Sequence, residues 1–140
     1  MIVIDATNQI LGRMATVVAK KALNGEKVSV VNCENAVISG DKKKILEKYK
    51  TSRERGTPST GPFIHRYPDR MVRRTIRGML PRDKARGKEA FGRVMCYLGV
   101  PEDLKDKEML VLEKSDMKKL DVLKYIDLKT LSKRLGAKIE

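Results

Sequence analysis

The sequence predicts an α/β fold with a basic extension, and three observations carry that prediction. A β-branched run, Ile2-Val-Ile-Asp5, is followed by a helical pattern from Leu11 to Ala22 and a second β-branched run, Val28-Ser-Val-Val-Asn32. Two strands joined by a helix form a βαβ unit, which must be parallel. Arginine is concentrated, with ten of the 12 lying between residues 41 and 93. Four of these, Arg70, Arg73, Arg74 and Arg77, repeat at i, i+3, i+4, i+7 opposite Val72, Ile76, Met79 and Leu80, so one face is suited to burial and the other to anions.

In chain order, Ile2–Asp5 reads as a strand buried on both faces. Leu11, Met14, Ala15, Val18 and Ala22 mark a helix that stops at Asn24-Gly25. Val28–Asn32 is the second strand and Ala36–Ser39 a third. A helix follows from about Asp41 to Ser52, with Ile45, Leu46 and Tyr49 as its buried side and Lys42, Lys43, Lys44, Lys48 and Lys50 around the rest. The helix dipole at its start adds to the attraction for anions. Residues 53–68 lose periodicity and interleave Phe63, His65 and Tyr67 with Arg53, Arg55 and Arg66, a composition suited to threading into folded RNA or to a surface linker. The first arginine-rich helix breaks at Gly78-Met-Leu-Pro81, because Pro81 cannot continue it. From Gly87 onward Phe91, Val94, Met95 and Leu98 predict a second amphipathic helix. Leu110–Leu112 is a strand or part of an extended arm. Asp121–Asp127 offers a fourth strand, and Leu128, Leu131, Ser132 and Leu135 mark a closing helix stopped by Gly136.

A chain of 140 residues is expected to form one domain, 1–140, burying about two-thirds of its unfolded surface. Residues 53–68 would be its extended basic loop and 69–99 its basic helical block. Residues 41–93 carry 17 Lys and Arg against six Asp and Glu, whereas 1–40 carry four against three and 94–140 ten against nine. One positive block between two nearly neutral ones points to a localised polyanion, nucleic acid first. Four arginines on one face repel one another, which a merely solvated helix avoids, and the guanidinium fork suits phosphate and base edges. A membrane surface is the rival, but it needs an exposed apolar face, and the apolar faces here are required for the core. No signal peptide and no membrane span are expected. Cys33 and Cys96 read as small core residues in a reducing cytosol.

Tests for chemistry give little. Asp5-Ala-Thr-Asn-Gln-Ile-Leu-Gly12 has one glycine where a dinucleotide fingerprint needs three, and no phosphate-binding GxxxxGK[ST] loop occurs, so no cofactor is expected. His65, the sole histidine, lacks a triad partner and either contacts a nucleotide or is a simple loop residue. Asp5, Glu34, Asp41 and Asp69 are the carboxylates that an alternative reading, a small α/β RNA-processing enzyme, would use to hold Mg²⁺. Asp41 and Asp69 instead sit where helix N-caps are expected.

Ile76-Arg-Gly-Met-Leu-Pro81, Gly87-Lys88 and Cys96-Tyr-Leu-Gly99 together resemble the signature of the family of ribosomal protein thirteen of the large subunit. Ile4-Asp5-Ala6, Leu11-Gly12-Arg13, Val30-Val31-Asn32 and Ile38-Ser39-Gly40-Asp41 extend the likeness over most of residues 1–100. Gly61-Pro62-Phe63, Leu135-Gly136-Ala137 and the lack of an insertion before Val28 resemble its archaeal and eukaryotic branch. The resemblance implies a three-layer α/β/α fold with a four-stranded parallel sheet. It also implies a non-catalytic, early-assembling structural protein of the cytoplasmic ribosome that binds large-subunit rRNA beside neighbouring large-subunit proteins. Carried onto this chain, contact falls to Arg73, Arg74, Arg77, Arg82, Lys84, Arg86, Lys88 and Arg93. Arg70 shares their helix face, and Arg53, Arg55, His65 and Arg66 belong to the penetrating loop. No metal and no small-molecule substrate enter this reading. Alanine at Arg73, Arg74 and Arg77 is expected to weaken salt-dependent RNA binding while leaving the fold intact.

Overall fold

The computed structural model describes residues 1–139. Strand β1 (Ile2–Asp5) pairs in parallel with β2 (Val28–Val31), in a register from Ile2 against Val28 to Asp5 against Val31. The intervening helix α1 (Leu11–Leu23) buries Leu11, Met14, Ala15, Val18, Ala19 and Ala22, so the βαβ unit forms as the periodicity predicts. Asn24 caps α1 and Gly25, at φ +96°, turns the chain away. That left-handed conformation suits glycine at a helix end.

The central sheet has four parallel strands in the order β4-β2-β1-β5, but two of them come from unexpected places. Strand β4 is Val94–Cys96, inside the stretch predicted to be helical through Leu98. Helix α4 (Ala85–Gly92) ends before it. Val94 and Cys96 are buried while Met95 is 45% exposed, the alternation of a strand, and Val28↔Val94 and Val30↔Cys96 seat it against β2. A parallel partner outweighs a helical spacing that only Phe91 and Leu98 extend. Strand β5 (Met109–Leu110) lies along β1, in the stretch that periodicity left between strand and arm.

Strand β3 (Val37–Ser39) is present, yet it pairs antiparallel with β6 (Tyr125–Asp127) in a separate two-stranded sheet. The predicted strand at 121–127 therefore exists in shorter form and does not join the parallel sheet. Leu128 N–H donating to the Ala36 carbonyl at 2.9 Å carries this pairing into the closing helix α5 (Leu128–Arg134).

One face of the parallel sheet packs against α1 and α3 (Pro68–Gly78), joining Ile4, Val30, Val94 and Cys96 to Met14, Val18, Val72 and Ile76 in one core. On the other face Val3 and Val31 meet Leu104, from the short 3₁₀ turn Glu102–Leu104, with Tyr97, Val100 and Met109 around them. The architecture is the expected three-layer α/β class, with a thinner second layer. Cys33 and Cys96 are buried free thiols of the main core. Burial and the adjoining Cys96 thiol, the latter foremost, push the Cys33 thiol well above its ordinary pKa, which keeps it protonated and inert.

Helix α2 (Lys42–Glu54) runs two residues beyond Ser52, and Ile45, Leu46 and Tyr49 are half-buried against the core edge. Asp41 caps it as expected, its carboxylate accepting from Lys43 N–H at 3.1 Å. Asp69 does not cap α3. Tyr67 holds the N-cap position and Pro68 the first helical one, where its fixed φ is already helical. Asp69 sits in the first turn, favourably placed against the dipole.

Candidate nucleic-acid interface

Helix α3 sets the geometry. Met71, Val72, Ile76 and, just beyond its end, Leu80 are buried, each contributing about 1.5–3 kcal/mol if fully removed from water. Repulsion between like charges one turn apart costs about 0.2–0.5 kcal/mol per pair, so burial decides the orientation and the arginines are turned outward. Met79, expected on the apolar side, is 41% exposed. It follows the last helical residue as the C-cap, and Met71, near the start of the helix, is a buried residue the spacing did not mark.

Outward does not mean equivalent. Arg73 is anchored: its Nε donates to the Val94 carbonyl at 3.1 Å, its Nη2 to the Phe91 carbonyl at 3.4 Å, and its guanidinium lies over the Phe91 ring. Arg74 donates to the Phe63 carbonyl at 3.1 Å, tying the loop to α3. Arg93 donates to the Ala22 carbonyl at 2.9 Å and approaches Glu89 at 3.8 Å. Arg53, now within α2, donates to the Leu135 carbonyl. These four arginines donate into the scaffold, so alanine at Arg73 is expected to cost stability as well as a cation.

The remaining cations are not neutralised. Among the described residues the ion pairs are Lys21–Glu26 and Arg93–Glu89, so Arg70, Arg77 and Arg82 have no carboxylate in contact. Slight desolvation, then the like charges of Arg82 and Arg74, lower the Arg77 pKa from its ordinary value, although a guanidinium stays charged throughout the working range. For His65, burial and then the charges of Arg74 and Arg70 lower the pKa, Asp69 opposing and Arg77 adding to the effect. The imidazole is therefore neutral near pH 7, able to donate from one nitrogen and accept at the other.

The structure gathers most of the predicted residues around concavities. His65, Arg70, Arg73, Arg74 and Arg77 line one of about 250 Å³, closed by Phe91. His65, Arg66 and Arg70 line another of about 440 Å³ with Lys138. Arg53, Arg55 and Arg66 border a third of about 640 Å³ under the loop. The loop itself spans 55–67, and its tip is closed by paired hydrogen bonds between Thr57 and Gly61 at 3.3 and 2.9 Å. Phe63, 62% exposed, presents an open ring beside these cations. Arg82, Lys84, Arg86 and Lys88 are exposed on the turn before α4 and its first residues, and none of them lines these hollows. Lys138 was not legible as a site residue, because only the return of the chain after Gly136 brings it to Arg66.

Three of the four carboxylates of the enzyme alternative are occupied elsewhere, while Asp69, in the first turn of α3, keeps one buried oxygen without a hydrogen-bond partner. Asp5 accepts from Thr7 and Asn32, Glu34 from Gly99 N–H, and Asp41 caps α2. Among the described residues no group of three or more His, Cys, Asp or Glu is placed to hold a metal ion. No helix among them is long and apolar enough to cross a membrane.

Comparison with known proteins agrees with the geometry. A family model described as Ribosomal protein L13 matches residues 1–103. The chain is 48% identical over 139 residues to the large ribosomal subunit protein uL13 of Methanosarcina barkeri, covering 99% of each. It is 46% identical over 142 residues to that of Methanocaldococcus jannaschii, again covering 99% of each. Against that of Haloarcula marismortui it is 45% identical over 136 residues, covering 97% of this chain and 91% of the relative. With a family match over well over half its length and relatives near half identity from end to end, this chain belongs to the ribosomal protein L13 family.

Proposed function

We propose that this protein is a structural, non-catalytic component of the large ribosomal subunit in the cytoplasm. In this reading it holds large-subunit rRNA against the surface built by the 55–67 loop, α3 and the start of α4. The observation that carries it is the placement of Arg70 and Arg77 on one face of α3 without carboxylate partners, the other side of that helix being committed to the core, with Arg82 close enough beyond its end for its charge to act on Arg77. Arg55, Arg66, Lys84, Arg86 and Lys88 extend the phosphate-binding surface. His65 and Phe63 add groups for unpaired bases. Arg53, Arg73, Arg74 and Arg93 act partly by holding that surface in shape. Neighbouring large-subunit proteins fit exposed apolar side chains such as Leu123 and Val111.

Gradient sedimentation should place the protein with large subunits. Filter retention with large-subunit rRNA should show a salt slope of about −0.7 to −0.9 per phosphate neutralised. Arg70→Ala and Arg77→Ala should each reduce that slope by about one contact with thermal stability unchanged. A slope indifferent to both substitutions would remove this face from the interface.

A further inference from the structure

Beside the arginine cavity lies a second hollow of about 190 Å³, lined by Tyr49, Ile64, Met71 and Thr75 and sharing His65 and Arg74 with its neighbour. The two differ in chemistry. The second is bounded by apolar side chains, a phenol and a hydroxyl, and the first by guanidinium groups. Thr75 Oγ1 already donates to the Met71 carbonyl at 2.9 Å, leaving its methyl and an oxygen lone pair for an occupant. Burial raises the Tyr49 pKa, so its hydroxyl remains a donor at neutral pH.

An apolar slot with a few polar handles, separated from a cluster of fixed positive charges by one histidine and one arginine, matches the two halves of a nucleotide. Duplex RNA presents phosphates but keeps its bases stacked, so only an unpaired residue can use both hollows. We propose that the paired cavities receive one unstacked nucleotide of the bound RNA, its base between Tyr49, Ile64 and Thr75 and its phosphate held by Arg70, Arg74 and Arg77. This rests on the RNA-binding reading above and adds selectivity to it. Arg74 then has a double part, fixing the loop through Phe63 and dividing base from phosphate.

The test compares a hairpin RNA bearing an unpaired mixed-sequence loop with a blunt duplex of equal phosphate number. The wild-type protein should bind the hairpin about tenfold more tightly, the scale of one stacked base. Thr75→Leu, which fills the slot, should bring hairpin affinity down to that of the duplex. Ile64→Ala, on the loop and outside the main core, should do the same by removing a wall. Arg70→Ala should weaken both RNAs together, and amide spectra establish that each variant is folded. Equal wild-type affinity for the two RNAs, or a hairpin preference surviving both slot variants, overturns the proposal while leaving RNA binding in place. Free adenosine 5′-monophosphate perturbing Thr75 without any hairpin preference also overturns it, assigning the slot to a free nucleotide. Failure of both RNAs to bind overturns the RNA-binding reading and this proposal with it.

Discussion

The Arg73 guanidinium lies 3.9 Å from the centre of the Phe91 ring while its Nε donates to the Val94 carbonyl at 3.1 Å. A side chain of the arginine face thus joins α3 to the end of α4 and the start of β4. A flexible ammonium cannot reproduce the fork that reaches the Val94 and Phe91 carbonyls together.

Arg73→Lys should therefore cost stability. Losing a charged hydrogen bond to a carbonyl costs about 1.5–3 kcal/mol, and weakening the ring contact costs up to about 1 kcal/mol more. Urea unfolding should show a loss of about 2 kcal/mol, with the salt slope for RNA nearly unchanged because the charge is kept.

Gly87 is needed for closeness rather than for an unusual φ. A Cβ there would lie 1.9 Å from the Pro81 carbonyl oxygen, the oxygen that accepts from Lys84 N–H at 3.1 Å. Gly87→Ala must open that turn and displace α4. Unfolding should report a loss of about 2–3 kcal/mol, whereas Gly92→Ala, which meets nothing within 4 Å, should be tolerated.

Asp5 gives a dependence on acid. Burial raises its pKa, but the Thr7 hydroxyl at 2.7 Å, Thr7 N–H at 3.0 Å and the Asn32 amide at 3.1 Å outweigh burial and lower it from the ordinary value. A carboxyl whose folded pKa is depressed stabilises the protein fully above its unfolded value, about 3.9, and loses that contribution as pH falls through the folded one. Asp5→Asn should be less stable than the wild type at pH 7, with the difference in urea midpoint shrinking below about pH 4. A difference that stays constant across that range would remove Asp5 as its source.

What the sequence made legible follows from how much each element depends on distant partners. The βαβ unit announced itself because thirteen helical residues repeat one apolar face between two β-branched strands. The arginine face was equally plain, its period being local to α3. Strands β4, β5 and β6 span two or three residues each, too few for alternation to outweigh neighbouring helical spacing or mixed charge. Their identity as strands comes from β2, β1 and β3. Asp69 misled because Pro68 begins the helix one residue earlier. The division of arginines into braces and free cations was out of reach, since the carbonyls of Val94, Ala22 and Leu135 reach Arg73, Arg93 and Arg53 only after folding.

The position of β4 directly after Arg93, inside the basic 69–99 block, makes that block impossible to excise cleanly. Deleting it to obtain an inert scaffold would strip β2 of a neighbour and lay open a row of unsatisfied amides and carbonyls, the template on which strands from other molecules self-associate. Affinity for polyanions and resistance to aggregation are thereby entrusted to one continuous piece of chain, and neither can be trimmed away without the other.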